Sequence, residues 1–430
     1  MQFRALARTV GALGALTVTL PIDLIVVAFA LLDQRRVAAP TSGRTVMVSG
    51  GKMTKALSLA RAFHRAGHRV VLVESSKYRF TGHRFSRAVD AFHCVPEPTD
   101  PGYARALRDV VLREQVDVFV PVASPASSVP DADAAALLGD LCEVVHADPE
   151  TVRMLDDKST FSEAAASMGL SVPDWRRITS VDDIASFDFP PGREYILKQI
   201  AYNPVGRMDL TRLSSATPQR NIEFARTLDI SESNAWILQE FISGQEYCTH
   251  GTARDGNLTV YACCTSSAFQ VNYEMVDVPD IRSWVETFVG ELGVTGQLSF
   301  DFIQAADGRV YAIECNPRTH SAITMFYDQD LLAQGYLGRV ESAVVPTRES
   351  KPTFWTYHEV WRLLTEPNRR HRLRIIVEGT DAIFARWDPL PYLLVHHLQI
   401  PVLLVKNAVS GRSWSRIDFN IGKLVEQGGD

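Results

Sequence analysis

The chain has 430 residues, 46% of them hydrophobic and 22% charged, with a formal net charge of −6 and a pI near 6.0. At about 150 residues per domain this allows two or three domains with ample cores, and the composition excludes a disordered, collagen-like or coiled-coil chain. The mildly acidic balance removes the basic footprint that a phosphate backbone requires, which excludes nucleic acid as the main partner while leaving room for a small anionic ligand.

The first element is apolar. From Val10 to Leu32 the sequence reads VGALGALTVTLPIDLIVVAFALL, 23 residues with Asp23 as the single charge. As a helix it would measure about 35 Å, enough for a hydrocarbon layer of about 30 Å. An Asp near the bilayer centre costs roughly 2.5–3.5 kcal/mol, whereas each Leu, Ile, Val or Phe returns about 0.3–0.6, so insertion comes out favourable. Three readings compete. Arg4, Arg8 and the run Ala28-Phe29-Ala30 suit a secretory signal peptide; the length suits a spanning anchor; Pro21 suits a kinked monotopic hairpin. Arg35 and Arg36 match Arg4 and Arg8 across the segment, so charge gives no orientation. A buried helix is the plain alternative.

Six cysteines (Cys94, Cys142, Cys248, Cys263, Cys264, Cys315) are scattered without a C-x-x-C or zinc-spaced Cys/His pair. This fits a reducing compartment and no structural zinc, with the vicinal pair Cys263-Cys264 read as core filler.

After a short linker, Ala38–Arg44, the run Thr45–Ser49 reads as a buried strand, Met53–Ala66 as a helix closed by Gly67, and Arg69–Glu74 as a second strand. Such a βαβ unit opens a parallel sheet. With a later strand at Asp117–Pro121, residues 41–147 form a Rossmann-like domain. Its loop, Gly50-Gly51-Lys52-Met53-Thr54-Lys55, lacks both G-x-G-x-x-G and the P-loop pattern, but a helix N-terminus there suits an anionic group of a substrate.

Residues 148–345 carry the chemistry. Lys158 opens a helical stretch, and Lys198 lies inside the strand-like run Tyr195–Gln199. The strand Trp236–Glu240 then leads through Phe241, Ile242, Ser243 and Gly244 to Glu246. Such a crossing between subdomains can offer backbone groups to an adenine and Glu246 to ribose hydroxyls.

Gly296–His320 reads GQLSFDFIQAADGRVYAIECNPRTH. Two β-rich runs flank Asp307-Gly308, a strong two-residue hairpin signal. With that dipeptide as the loop, paired residues sum to 615 and Asp301 lies opposite Glu314, with Asn316 on the same face. Like charges on cross-strand neighbours about 4.5–5.5 Å apart repel, a conflict that a divalent cation removes. Two carboxylates and an amide oxygen form a hard oxygen site suited to Mg2+, or to Mn2+ in its place, with phosphate oxygens and water completing the shell. A solvent-facing hairpin with mildly repelling acids is the bland alternative. Arg318, just past Pro317, is placed to reach a transferring phosphoryl group. Ser266, Ser267, Gln270, Asn272 and Tyr273, with Thr319-His320-Ser321, make a polar patch suited to a substrate.

The last part, 346–430, holds the basic run Arg369-Arg370-His371-Arg372-Leu373-Arg374 and an apolar stretch, Pro389–Val405, interrupted by Pro391, His396, His397 and Pro401. An interfacial membrane segment beside a polybasic patch and a packed α/β tail both fit.

The order of parts (lysine, lysine, acidic hinge, carboxylate hairpin, E-x-N-P-R) resembles the ATP-grasp superfamily, with Ile313–Arg318 most similar to its carbamoyl-phosphate synthetase and biotin carboxylase branch. The resemblance implies an α/β ATP-grasp fold: a Rossmann-like domain and two α+β subdomains, here with an N-terminal apolar helix and a C-terminal extension. It implies that Lys158 and Lys198 bind ATP phosphates, that Glu240, Phe241 and Ile242 contact adenine and Glu246 the ribose. It further implies that Asp301, Glu314 and Asn316 hold Mg2+ and that Arg318, with Lys198, acts on the phosphoryl in flight. The loop after the second lysine, Ala201–Arg207, departs from the family's Gly/Ser-rich pattern. The stretches VSGGKMTKALSLARAFHRAGHRVVLVE, TGHRFSRAVDAF, SSAFQVNYE, GQLSFDFIQAADG, YAIECNPRTHSAITMFY and RIDFNIGKLVE are similar to the mycosporine-glycine ligase family. That resemblance implies phosphorylation of an oxygen of the cyclohexenone 4-deoxygadusol by ATP, then displacement of phosphate by glycine. Small molecules and a membrane are the expected partners, and the expected location is the cytoplasmic face of a membrane, or else the cytoplasm. A carboxylate–amine ligase, and a membrane-tethered nucleotide-binding module without turnover, are the other readings.

Overall fold

The computed structural model describes residues 2–32, 43–122, 124–201, 209–266 and 272–426, with residues 2–5 as helical backbone. After α1 (Gln2–Leu32), short β-branched strands alternate with amphipathic helices: β1 (Thr45–Val48), α2 (Thr54–Arg65), β2 (Arg69–Ser75), β3 (Ala91–Val95), α3 (Tyr103–Glu114), β4 (Val118–Val120), α4 (Ser128–Leu138) and β5 (Glu143–Val144). The strands pair in parallel in the order β3-β2-β1-β4-β5. Central β1 has Val46, Met47 and Val48 fully buried, as expected of a strand covered by helices on both faces. Gly50 turns the chain at φ +69°, where an added Cβ would collide with the Val122 carbonyl, so glycine is required there.

Two helices N-capped by aspartates, α5 (Pro149–Asp156, cap Asp148) and α6 (Lys158–Ser167, cap Asp157), open the middle region. Next come β6 (Trp175–Ile178), α7 (Val181–Ala185), β7 (Tyr195–Gln199), α8 (Pro218–Ala225) and β8 (Trp236–Glu240), forming an antiparallel sheet β6-β8-β7. Phe187, Phe189 and Tyr195 pack edge-on in its core. A second antiparallel sheet follows, ordered β10-β9-β12-β13, from β9 (Gly244–Arg254), β10 (Asn257–Thr265), β12 (Gly296–Ala305) and β13 (Val310–Asn316). Between β10 and β12 lie β11 (Asn272–Tyr273) and α9 (Pro279–Leu292). Trp284 and Phe288 of α9 pack on Phe300 of β12, ring centroids 5.4 Å apart in each case. Residues 241–243 thus run between two sheets, as the hinge reading anticipated. Cys263 and Cys264 are buried in β10, with the Cys264 sulfur 3.3 Å from that of Cys248, in keeping with their reading as core residues.

The remainder comprises α10 (Leu332–Leu337), β14 (Thr353–Phe354), α11 (Thr356–Thr365), α12 (Arg369–Glu378), β15 (Thr380–Asp381), α13 (Leu390–Leu394), a π-helical turn Val395–Gln399, α14 (Ile400–Val409) and the hairpin β16 (Trp414–Asp418)–β17 (Lys423–Glu426). This region is fastened to the Rossmann-like sheet. Arg61 on α2 pairs with Asp388 at 2.8 Å, the carboxylate fully buried, and Asp388 also accepts from the Ser86 hydroxyl and the Arg87 amide.

Helix α1 runs unbroken through Pro21, so a hairpin broken there is not formed. Docking on both sides of the proline holds the helix together: Thr9, Leu16, Asp23, Val27 and Ala30 are buried, a stripe at helical spacing. The Trp414 indole donates to Thr9 at 3.0 Å, Arg8 to the Trp414 carbonyl at 2.8 Å, and Asp23 accepts from Tyr357 at 2.6 Å and pairs with His397 at 2.7 Å. The opposite face exposes Val10, Val18, Ile22, Phe29 and Leu32. Among the described residues, Leu6–Leu32 and Leu390–Val409 are long and apolar enough to cross a membrane.

Candidate active site

The hairpin β12–β13 sets the site. Asp301 pairs with Glu314 and Ser299 with Asn316, as expected, but nearer the turn Phe302 pairs with Ala312, one residue out of step. The loop is longer than the two-residue reading. Ala305 donates to the Arg309 carbonyl at 2.9 Å, enclosing residues 306–308, with Gly308 at φ +87°, the left-handed position of a three-residue hairpin loop. A bulge at Ile313 absorbs the offset, so Asp301 and Glu314 meet because two departures cancel. Bulges of this kind occur beside active sites because they re-aim groups. Here the Ile313 carbonyl accepts from the Gln239 amide at 3.1 Å, and the Gln239 carbonyl oxygen accepts from Lys198 at 3.0 Å.

Lys158, first residue of α6, reaches Glu314 at 3.3 Å. Thus α6, β7 and β13 bring Lys158, Lys198 and Glu314 together. Burial and the neighbouring Glu314 push the Asp301 carboxyl well above the usual carboxylate range. Burial also works to raise Glu314, but Lys158 and Lys198 outweigh it and hold Glu314 well below that range. A divalent cation fits this donor set, because its positive charge relieves the repulsion between the two carboxylates. No group of three His, Cys, Asp or Glu side chains gathers among the described residues. Two carboxylates and Asn316 suit a cation that takes its other ligands from phosphate oxygens and water. Burial, then the adjacent Lys158, lowers Lys198, while Glu314, Asp301 and Glu246 draw it back up.

Arg318 donates to Asp156 at 3.1 Å and to the Asn316 side-chain oxygen, which fixes the guanidinium over the hairpin end. In the hinge, the amides of Glu240 and Phe241 are committed to the Asp174 and Glu194 carbonyls at 2.8 and 2.7 Å. The Glu240 carboxylate turns to Arg193 at 3.6 Å, and the Arg212 guanidinium stacks 3.5 Å from the Phe241 ring centroid. Ile242 is half-buried and Glu246 exposed. Ser267, Gln270 and residues 202–207 of the second-lysine loop lie outside the described residues.

Asp301, Glu314, Asn316 and Arg318 border a cavity of about 1210 Å³ that Ser266, Tyr273, Thr319, His320 and Ser321 also line. Two contributors escaped the sequence reading. Gln239 is 1% exposed, after the apolar run Trp236-Ile237-Leu238 of β8, and a buried amide beside that run is the signal available. Lys55 sits at the start of α2, buried, donating to the Thr319 carbonyl at 2.7 Å; no local feature of its loop ties it to Arg318.

No protein-family model matches the chain. The chain is similar over 229 residues, at 22% identity, to the large chain of the arginine-specific carbamoyl phosphate synthase of Neurospora crassa, a match covering 49% of this chain and 19% of that protein. The chain thus spans about a fifth of that relative's length. Among solved structures, N5-carboxyaminoimidazole ribonucleotide synthetase in its ADP complex superposes with a TM-score of 0.54 at 16% identity, covering 74% of this chain and 82% of that one. Biotin carboxylase from Campylobacter jejuni, solved as its beta-gamma-ATP complex, gives 0.54 at 14% identity over 72% and 74%. With the Rossmann-like sheet, the two antiparallel sheets and the lysine–carboxylate convergence between them, these likenesses show the fold: the chain has the ATP-grasp architecture.

Proposed function

We propose that the chain is an ADP-forming ligase, which transfers the γ-phosphoryl group of ATP to an oxygen of a small acceptor and then lets an amine displace the phosphate. The observation that carries this reading is the meeting of Lys158 and Lys198 with Asp301, Glu314 and Asn316. In phosphoryl transfer, positioning and charge neutralisation supply most of the catalysis, and this cluster offers both. The acceptor oxygen attacks the γ-phosphorus, the bond to the bridging oxygen breaks and ADP leaves. The amine nitrogen then attacks the activated carbon, its carbon–oxygen bond breaks, and phosphate departs as the nitrogen loses a proton. Lys158 and Lys198 hold the phosphates, and Arg318 lies over the γ-phosphoryl group. Asp301, Glu314 and Asn316 would hold Mg2+, which would neutralise phosphate charge. Glu240, Phe241 and Ile242 flank the adenine, through carbonyls and side chains where the amides are committed, and Glu246 faces the ribose.

For the acceptor we propose a cyclohexenone of the 4-deoxygadusol type and for the amine glycine, on the strength of the six sequence stretches that resemble the mycosporine-glycine ligase family. The enzyme works at a membrane surface, held there by the apolar face of α1. Incubating the purified chain with ATP, Mg2+, 4-deoxygadusol and glycine should release ADP and phosphate only when both organic substrates are present, with a condensation product by mass spectrometry. Release of AMP overturns the ligase reading. ADP release with a carboxylic acid but not with 4-deoxygadusol moves the acceptor to the carboxylate class.

A further inference from the structure

The cavity does not stop at Arg318. It continues past the 318–321 loop to the start of α2, the turn between β16 and β17, and the α1 face bearing Gly11, Ala12, Ala15 and Leu16. The phosphoryl end of a nucleotide needs only a part of 1210 Å³.

Two features of the far part select a ligand. The first is paired positive charge. The Lys55 ammonium is held at the Thr319 carbonyl, close enough to Arg318 for the two cations to repel, and both border the cavity. The second is an acceptor without a donor. The Asn420 backbone carbonyl accepts from the Thr54 amide at 2.9 Å, and its side-chain NH2 donates to Ser321 at 2.8 Å. Fixed at both ends, Asn420 leaves its Oδ1 buried with no hydrogen-bond partner. A buried carbonyl oxygen in that state has lost its hydration without compensation, and a ligand that brings a donor relieves the cost.

We propose that this chamber is the acceptor site, that the acceptor is an organic oxyanion with a hydroxyl or ammonium group nearby, and that Lys55 with Arg318 holds its charged oxygen while Asn420 Oδ1 accepts from its donor group. The assignment rests on the ligase reading. It makes the β16–β17 turn and α1 parts of the site, although neither belongs to the sheets that carry the nucleotide residues. It also orients the acceptor, since an oxygen between Lys55 and Arg318 lies on the side facing the phosphoryl group.

Burial, then repulsion from Arg318 and Lys52, lowers Lys55 to about 7, with Asp131 opposing. His250 faces it as well. An arriving anion favours the charged ammonium, so binding draws in a proton.

The full-length chain can be titrated calorimetrically with two probes, 4-deoxygadusol as the enolate and shikimate as the carboxylate. One of them should bind, and Lys55→Met and Asn420→Ala should each weaken it at least tenfold, with Lys55→Arg recovering part of the loss. ATP binding by the same variants should stay within twofold of wild type, which also reports that they are folded. Binding of neither probe to wild type overturns the assignment, and so does wild-type probe affinity in both variants. Probe binding without ADP release on adding ATP and glycine sinks the ligase reading and leaves the chamber standing. ADP release with an acceptor KM unchanged in both variants sinks the chamber and leaves the ligase.

Discussion

Asp301 and Glu314 face each other across one hairpin, yet their carboxyl groups are driven in opposite directions, because Glu314 has Lys158 at 3.3 Å and shares Lys198 while burial dominates Asp301. Changing Glu314 to Gln with Asn316 to Ala removes one carboxylate and the amide oxygen of the proposed metal site. ADP release in the presence of substrates should fall by at least about 100-fold, as for loss of a preorganised electrostatic contact. Turnover surviving that double change would show that the hairpin is not a catalytic metal site. Lys55 adds a pH dependence of definite sign. Its ammonium is half charged near pH 7 in the acceptor-free protein, so acceptor affinity should fall as pH rises from 6 to 9, by up to tenfold per unit once the group is neutral. Calorimetry in buffers of different ionisation enthalpy should register about one proton taken up above pH 7. The geometry was legible in the sequence where it follows from strand parity: Glu314 and Asn316 share a face whatever the loop does, whereas Asp301 opposes Glu314 only because the bulge at Ile313 offsets the longer loop. Gln239 and Lys55 were not legible, since Gln239 matters through a carbonyl 74 residues away and Lys55 through one 264 residues away.

At the scale of elements, the bulge at Ile313 couples the two antiparallel sheets. Its carbonyl orients Gln239, and Gln239 orients Lys198, so β13 of one sheet positions the lysine of the other to which we assign phosphate binding. Gln239→Leu keeps the apolar packing of β8 and removes both hydrogen bonds. ATP KM should rise about tenfold, near 1.4 kcal/mol, with acceptor KM unchanged; an unmoved ATP KM would mean that Lys198 finds its place without the bulge. The loop length of this hairpin was misread for a physical reason. Asp-Gly serves both the two-residue loop and the three-residue loop with a left-handed glycine, and only the ladder beyond it distinguishes them. The βαβ unit was recovered to within a residue or so at each boundary, because its buried strands and Gly67 are local signals. The docking of α1 was not, because a stripe of Thr9, Leu16, Asp23, Val27 and Ala30 becomes meaningful only when Tyr357, His397 and Trp414 are beside it.

Across the whole molecule, the C-terminal region is a structural partner of the Rossmann-like sheet. Asp388 is its rivet, gathering Arg61, Ser86 and the Arg87 amide. Asp388→Ala leaves a buried guanidinium unpaired and should cost about 3–5 kcal/mol, read as a lower denaturant midpoint, while Asp388→Asn should cost less. The outer surface concerns the membrane. Val18, Ile22 and Phe29 of α1 are 76, 62 and 70% exposed, and Val409 of α14 is 84% exposed. Apolar side chains concentrated on helices that border one another mark an interaction surface. The full-length chain should float with phosphatidylcholine–phosphatidylglycerol vesicles in a density gradient, and Val18→Asp with Phe29→Asp, both directed away from the docked stripe, should leave it at the bottom. Flotation of that variant at the wild-type level would remove α1 from the membrane reading.

The contact between Arg8 and Trp414 joins residues 406 positions apart. On a ribosome adding about 5–20 residues per second, α1 emerges first and waits some 20–80 seconds before Trp414 is made to receive it. During that interval its apolar face and its Asp23 stripe have only solvent, chaperone or bilayer for company. A lipid surface near the translating ribosome would shelter this helix until its partner exists, so the face proposed to hold the finished chain at a membrane would also protect the unfinished one.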